Sequence, residues 1–484
     1  MAQTGTDKKA EYSIDIEVPL GDLKFLPEYL KRIYLLQQTK YRNFTNINTI
    51  SENGKQSLKY RVNVPKTQNY IDVTVEASAP VKVTMTLSDA TIPKTFLDQL
   101  YDDLFLMIQL FEDETRKTTL YLAFMPNEKV VPEKEKRSII GRIFTESMLS
   151  LYVMLTAVTF AFFWIFGFYG PIIFVALVFL LSILSGKIVG KSGDWEITKK
   201  QQEIVLLQYY FLPQKFEEFR KRYAQNISEI RKKIHEESIA DGKLPSCQSS
   251  SKTFSEYGVE CTPENLSVKR VNVYQIVKTA AEKFGLKTPK IVIKNTIIPN
   301  AAAAGPTASL GTVLITTGIL TQLEEDELLS VIGHEMSHLK AHDPIVMSLM
   351  TSLEFLVRFY VVLPIIATLG LIVFWGYFIA ALSLIYFFGK FLEGRADLDS
   401  AKIIGQPKVL AEALKKIAFR RLFPLNKREP EFKGYRRSEW LRFDPHPPTY
   451  HRISQLENIK EPEKIRHTLL RTIKENVKGL LRAT

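Results

Sequence analysis

Two long stretches of this chain carry no charge, and they determine its layout. Residues 147–186 contain no charged side chain, and residues 359–389 contain none either. A helix that crosses a bilayer needs about 20 apolar residues, so the first stretch has room for two crossings. The segment 167–171, Gly-Phe-Tyr-Gly-Pro, predicts a turn near its middle. We therefore expect membrane helices at about 148–167 and 171–189.

The second apolar region is broader, running from about residue 344 to residue 390, and only Glu354 and Arg358 interrupt it. Its length of roughly 45 residues fits two crossings and is too long for one. Glu354 and Arg358 lie four residues apart, so they can pair on one helix face. Two interpretations stay open, a pair near the inner membrane interface and a functional pair facing a cavity inside the membrane. The pattern thus predicts four transmembrane helices.

The remaining segments alternate in the manner of soluble structure. The N-terminal part predicts strands and helices in turn, with strands at 12–18, 59–64, 70–76, 81–87 and 118–124 and helices at 20–37 and 95–111. The charged segment 195–239 predicts helices, and the serine-rich segment 245–263 predicts a loop. A compact part follows, with a helix at 272–284 and strands at 290–294 and 311–316.

These patterns predict a multi-domain membrane protein. A soluble α+β N-terminal domain precedes a mainly α-helical membrane part that contains a small β-sheet and four transmembrane helices. We expect a domain of unassigned role at 1–135, a transmembrane hairpin at 147–190, a cytoplasmic part at 191–343, a second hairpin at 344–390 and a cytoplasmic helical part at 391–484.

The net charge of +12 does not indicate nucleic-acid binding, because Lys and Arg are mixed with Asp and Glu along the soluble segments. Basic clusters instead flank the apolar stretches, at 134–137 and 187–200. Such clusters mark the cytoplasmic side of a membrane helix. We therefore expect a multi-pass protein of the cell membrane whose N-terminal domain is cytoplasmic. Cys247 and Cys261 could form one disulfide, although free thiols suit a cytosolic compartment better.

The segment His334-Glu335-Met336-Ser337-His338 carries the chemistry. In a helix, residues four apart lie on one face, so both imidazoles can point at one metal ion. A carboxylate beside the first ligand, here Glu335, can take a proton from a water that the metal activates. The alternative is an ordinary amphipathic helix with two surface histidines. Small and apolar neighbours such as Gly333 favour a buried active-site helix instead.

A third ligand is expected beyond the second apolar region, at Glu393. The spacing Glu393-x-x-x-Asp397 points one carboxylate at the metal and places another, one helical turn away, where it can orient a ligand. A solvated helix start would also explain these charges. However, two crossings between His338 and Glu393 return the chain to the side where the histidine pair lies, which favours the metal site.

These residues, in this order, resemble the HtpX-type membrane zinc metalloproteases, which are related to the CaaX-processing proteases. The resemblance covers about residues 147–460 and rests on His334–His338, on the two crossings and on Glu393-x-x-Ala-Asp397. Two further segments match the family pattern. Asn300-Ala301, followed by Ala302, Ala303 and Ala304, resembles its substrate-binding edge strand, and His446-Pro447 with Arg452 resembles the segment that stabilises the tetrahedral intermediate.

The resemblance implies one Zn²⁺ per chain on His334, His338 and Glu393, with Glu335 as general base. The implied substrates are polypeptides, specifically misfolded membrane proteins, cleaved at the cytoplasmic face. A site-specific processing protease and a non-enzymatic zinc-containing scaffold stay open as alternatives. The chain departs from the usual pattern at His342, where the family has Arg, and at Gly389-Lys390, where it has Ser-Arg. Because His342 lies one turn beyond the pair, we do not expect it to be a ligand.

Overall fold

The computed structural model describes residues 8–36, 44–52, 55–65, 67–126, 157–158, 160–365, 370–422 and 437–482. The strands are, in chain order, β1 (Lys9–Ile14), β2 (Phe44–Glu52), β3 (Lys55–Asn63), β4 (Tyr70–Glu76), β5 (Val81–Leu87), β6 (Thr119–Phe124), β7 (Trp195–Ile197), β8 (Ile204–Tyr210), β9 (Leu266–Val271), β10 (Lys290–Lys294), β11 (Ala301–Ala304) and β12 (Thr312–Thr316).

The α-helices are α1 (Leu20–Leu23), α2 (Leu26–Leu30), α3 (Lys94–Arg116), α4 (Gly170–Gly190), α5 (Pro213–Tyr223), α6 (Ile227–Glu237), α7 (Ser251–Glu256), α8 (Val273–Lys283), α9 (Thr317–Gln322), α10 (Glu325–Lys340), α11 (Asp343–Val357), α12 (Leu371–Ile404), α13 (Pro407–Leu422), α14 (Arg437–Trp440), α15 (Thr449–Glu457) and α16 (Thr468–Arg482).

The chain divides into two compact units. The first takes residues 1–127, 205–270 and 415–433, and the second takes 128–204, 271–414 and 434–484. Residues 205–270, which the sequence pattern assigned to the cytoplasmic part at 191–343, therefore lie in the first unit together with the predicted N-terminal domain.

The first unit contains two sheets. Five antiparallel strands are ordered β1-β5-β4-β3-β2, and β6-β8-β9 form a second sheet. Apolar residues alternate along β4 and β5, where one face is buried, as a one-sided sheet requires. Strand β8 is buried along its whole length, which the prediction of helices for 195–239 missed. A run such as Ile-Val-Leu-Leu-Gln-Tyr-Tyr has no helical periodicity.

The first unit also contains a disulfide between Cys247 and Cys261. The expectation of free thiols is therefore wrong for this structure. The bridge closes the serine-rich segment predicted as a loop, and that segment contains α7. Its second cysteine packs against a core formed by β6, β8, α5, α6 and α7, which includes Leu122, Leu207 and Phe254.

The second unit holds a four-stranded sheet of order β11-β12-β10-β7 and a set of long apolar helices. Strands β10 and β12 are parallel, whereas β11 and β7 lie antiparallel at the two edges. This is the small sheet predicted for the membrane part. The connection from β12 leads through α9 directly into α10, so the sheet and the motif helix form one continuous segment.

Three stretches are long and apolar enough to cross a membrane, among the described residues: Phe160–Gly190, Asp343–Ile365 and Trp375–Ile404. The last two correspond to the predicted second hairpin. The first stretch turns at Gly167, whose φ is +58°. A Cβ on Gly170 would sit 2.5 Å from the carbonyl oxygen of Phe162, so the chain folds back on itself there. Half of the predicted first crossing, 148–167, lies outside the described residues.

Candidate metal and active site

Helix α10 presents the histidine pair. Its start is fixed by a capping box in which Glu324 and Glu327 satisfy each other's backbone N–H groups, and three acidic residues in its first turn suit the positive end of the helix dipole. Nine residues later the helix brings His334 and His338 onto one face. Their Nε2 atoms lie 3.1 Å apart, so both imidazoles point at the same place.

The third member comes from helix α12. Glu393 Oε2 lies 3.4 Å from His334 Nε2, and Glu393 Oε1 lies 3.5 Å from His338 Nε2. These three side chains form a group that could hold a metal ion. A tetrahedral zinc ion with bonds of about 2.0–2.1 Å separates its ligand atoms by roughly 3.3 Å, which agrees with the observed spacings. Glu393 Oε2 is also buried without a hydrogen-bond partner, so the donor set fits zinc.

Each imidazole is oriented from behind by a carboxylate. His334 Nδ1 lies 2.9 Å from Asp397 Oδ1. Arg452 donates two hydrogen bonds, of 2.7 and 2.8 Å, to the Asp397 carboxylate. A carboxylate on the outer nitrogen fixes the ring and makes the metal-facing nitrogen a better ligand.

The second histidine has the same arrangement. His338 Nδ1 lies 2.7 Å from Asp343 Oδ2, and Arg395 Nη2 donates to that same oxygen at 2.6 Å. Asp343 is the first residue of α11, and Arg395 lies on α12 two residues after Glu393. The two ligand histidines are thus held by two matching carboxylate–arginine pairs.

Close packing of α10 on α12 brings the ligands within reach of one another. A Cβ on Gly333 would lie 2.6 Å from Ile404 Cγ1 and 2.8 Å from Ser400 Oγ. Ser400 donates a 2.7 Å hydrogen bond to the Ser330 carbonyl, and Ser337 donates one of 2.9 Å to Asp399. A side chain at Gly333 would force the two helices apart, and the ligands with them.

The local charge favours a cation at this point. Burial lowers the pKa of His334, but the carboxylates of Asp397 and Glu393 outweigh it and raise that pKa to about 10. Metal binding needs the neutral imidazole, so a metal ion entering here displaces a proton from His334. The pKa of Arg452 is shifted in the same way, because burial lowers it and the Asp397 carboxylate raises it by more. The guanidinium therefore stays charged.

Glu335 faces the sheet. Its Oε2 accepts a 2.7 Å hydrogen bond from the backbone N–H of Ala303, in edge strand β11. The Thr316 N–H donates to the Asn300 carbonyl, so alternate residues pair with β12, and Ala301 and Ala303 turn their backbone groups to the open edge. The carboxylate next to the histidine pair is therefore in contact with an edge that can accept another strand.

His446 lies at the exposed side of the cluster. Its Nε2 is 3.6 Å from Glu393 Oε2, and its Nδ1 is 2.7 Å from Asp444 Oδ1. The imidazole is about half exposed, unlike the buried His334. Arg452 Nη1 lies 3.9 Å from the same Glu393 oxygen. Both polar groups of the segment 446–452 thus reach the ligand set.

The structure brings the predicted site residues together, adds Asp343 and Arg395 to them, and leaves His342 out. His334, Glu335, His338, Glu393, Asp397, His446 and Arg452 meet at one place, with strand β11 beside them. His342 is not a member of the ligand group, and its Nδ1 lies 2.7 Å from the Pro306 carbonyl oxygen. Asp343 and Arg395 were missed. The sequence shows Asp343 five residues after His338, but its contact with the His338 ring is known only from the three-dimensional structure.

Comparison with known proteins agrees with this geometry. The profile of peptidase family M48 matches residues 267–460. A protein described as a protease HtpX homolog from Methanothermobacter thermautotrophicus is 35% identical over 166 residues, which is 33% of this chain and 63% of that protein. The homolog from Thermococcus sibiricus is 31% identical, and the match covers 39% of this chain and 74% of that protein. The homolog from Pyrococcus abyssi is 32% identical, and the match covers 39% of this chain and 73% of that protein.

Proposed function

This chain belongs to the M48 peptidases of the HtpX type, which are membrane metalloproteases, and on that premise we propose that it hydrolyses peptide bonds of misfolded membrane proteins at the cytoplasmic face of the cell membrane. One Zn²⁺ per chain would be held by His334, His338 and Glu393. The observation that carries the substrate class is the position of this site at the ends of the apolar helices.

Each apolar stretch reaches the site at one end. Asp343, which contacts His338, begins the stretch Asp343–Ile365. Glu393 lies in Trp375–Ile404, four residues after the uncharged part of that helix ends at Gly389. A Cβ on Gly186, near the end of α4, would lie 3.2 Å from the Ala304 carbonyl oxygen, beside strand β11. A site built where three membrane helices end is within reach of segments that have just left the bilayer.

The substrate would bind by adding a strand to β11. The open edge offers the backbone groups of Ala301 and Ala303, which recognise a peptide through its main chain and therefore tolerate many sequences. The Ala303 N–H donates to Glu335. A peptide carbonyl that pairs with Ala303 would replace this hydrogen bond and would lie next to the catalytic carboxylate. Broad tolerance suits the removal of misfolded proteins.

Zinc would polarise the scissile carbonyl and make water more acidic. Glu335 would take the proton of the attacking water and return it to the leaving amine. His446 and Arg452 Nη1 face the ligand set from the exposed side, where they can donate to the developing oxyanion. Asp397 and Asp343 would keep the two imidazoles in place throughout.

The cytoplasmic orientation rests on charge. Lys187, Lys191, Lys199 and Lys200 lie at or beyond the end of α4 that meets the site. Basic residues at this end mark the side that stays in the cytoplasm. Cleavage on that side would place the products where cytosolic proteolysis can complete their degradation.

The experiment compares two forms of one substrate. The purified chain is reconstituted in vesicles with an unstructured segment that either follows a transmembrane helix or is fused to a soluble carrier. We expect the tethered form to be cleaved at least about tenfold faster, because tethering raises its local concentration, and Glu335→Gln to cleave neither.

Each alternative gives a distinct result. Equal rates on both forms would refute selection for membrane proteins. Cleavage that is lost when the segment is scrambled would indicate a site-specific processing protease. A wild-type chain that binds zinc but cleaves nothing would favour the scaffold.

A further inference from the structure

Helix α16 packs against α12 through one narrow face. A Cβ on Gly394 would lie 2.5 Å from Thr472 Cγ2, and Asn476 Nδ2 donates a 3.0 Å hydrogen bond to the Lys390 carbonyl. Gly479, further along, would meet Trp440 with a Cβ at 2.5 Å. Since rising numbers on α16 meet falling numbers on α12, the two helices run antiparallel and α16 advances toward the apolar part of the stretch Trp375–Ile404.

A second face of α16 is apolar and open. Leu470, Val477 and Leu481 are 64%, 37% and 74% exposed. Their spacing of seven and four residues places them on one side of the helix. Two further exposed apolar side chains, Leu441 and Phe443, follow Trp440 in the chain, and the ring centroid of Phe443 lies 5.8 Å from that of Tyr386 on α12.

A third face is basic. It carries Arg471, Lys474, Lys478 and Arg482, with Glu475 as an acidic member that lies 3.1 Å from Lys478 Nζ. An apolar stripe beside a basic stripe is the pattern of helices that bind at a bilayer surface, where leucines enter the acyl boundary and cations face anionic headgroups.

We propose that α16 is a membrane-interface helix, whose stripe of Leu470, Val477 and Leu481 inserts into the cytoplasmic surface of an anionic bilayer next to α12. The bilayer is the occupant for two reasons. The helix that carries the stripe packs along α12, which is apolar enough to cross the membrane, and it runs toward the apolar part of α12. The basic border of the stripe complements anionic lipid. Because α16 also packs on Gly394, next to the ligand Glu393, the contact holds the ligand-bearing part of α12 at a fixed depth.

The test uses the full chain in vesicles of phosphatidylcholine and phosphatidylglycerol at about three to one. An environment-sensitive dye is attached at Leu481→Cys or, as the matched control, at Arg482→Cys on the neighbouring basic face. Unsubstituted protein gives the background labelling. Quenching is measured with a nitroxide on the lipid acyl chain and with aqueous iodide.

We expect acyl-chain quenching at least about threefold stronger at position 481 than at 482, with iodide showing the reverse order. Pure phosphatidylcholine should reduce the difference, as should Lys474→Glu with Lys478→Glu. Equal iodide quenching at both positions would overturn the proposal. A dye at 481 shielded from both quenchers would also overturn it, because another protein segment or a second copy would then cover the stripe.

Discussion

At the scale of single residues, the site is two histidines, each backed by an acid and an arginine. Asp397 with Arg452 supports His334, and Asp343 supports His338. The spacing of Glu393 and Asp397 predicted the first support. The partner of His338 could not be predicted, because it depends on the turn at His342 that brings Asp343 back under the ring.

Replacing Asp343 tests this second support. Asp343→Asn keeps the size of the side chain but removes the charge that orients His338, so we expect zinc affinity to fall about 10- to 100-fold. The measurement is competition with a zinc-binding dye. Glu325→Gln, which removes an exposed carboxylate from α10, the helix that carries His338, serves as control. Unchanged affinity in Asp343→Asn would show that the His338 contact does not tune the metal site.

Arg452 shows what sequence reasoning alone could not assign. The resemblance gives it a role in stabilising the tetrahedral intermediate. In the structure it makes two hydrogen bonds to Asp397, which lies against His334. A substitution of Arg452 therefore reaches zinc binding as well as turnover, and the two effects have to be measured separately.

At the scale of elements, the distance between α10 and α12 determines whether the ligands meet. Gly333→Val places atoms where Ile404 and Ser400 now lie, and overpacking of this kind costs about 1–3 kcal/mol. We expect lower thermal stability and weaker zinc binding. Gly376→Val is the matched control, because its Cβ meets nothing within 4 Å. Equal losses in both variants would contradict the importance of this packing.

Elements were predictable where one periodicity dominated. Strands β4, β5 and β10 have the predicted bounds of 70–76, 81–87 and 290–294. Prediction failed at β2, whose residues 44–52 are largely polar, and at β8, which lies inside a charged segment. The predicted helix 20–37 divides into α1, α2 and a π-helical turn at Lys31–Leu35. Strand β8 pairs with β6, which is distant in sequence, and contacts of this kind outweigh local preference.

At the scale of the whole molecule, the proposed orientation can be tested at the two ends of α4. The turn at Gly167–Tyr169 is predicted to be outside, and the basic segment after α4 inside. An impermeant maleimide added to intact cells should label Tyr169→Cys and leave Lys200→Cys unlabelled until the cells are broken. The opposite pattern would invert the proposed orientation.

The disulfide between Cys247 and Cys261 gives a second way to test on which side of the membrane the first compact unit lies. Structural disulfides are usual in oxidising compartments and, in the cytoplasm, are common only in proteins of hyperthermophiles. The bridge between Cys247 and Cys261 belongs to the first compact unit. The redox state of these two cysteines in cells therefore reports directly on the surroundings of that unit.

The most direct test of the account is zinc content and peptide cleavage measured on one preparation of Glu335→Gln. Glutamine keeps the size of the side chain and its hydrogen-bonding capacity but cannot act as a base. The account predicts zinc content equal to that of the wild-type protein, near one per chain, with cleavage reduced to background. Wild-type cleavage by Glu335→Gln, in a preparation free of other proteases, would contradict the mechanism. Zinc lost together with activity would instead place Glu335 among the metal ligands.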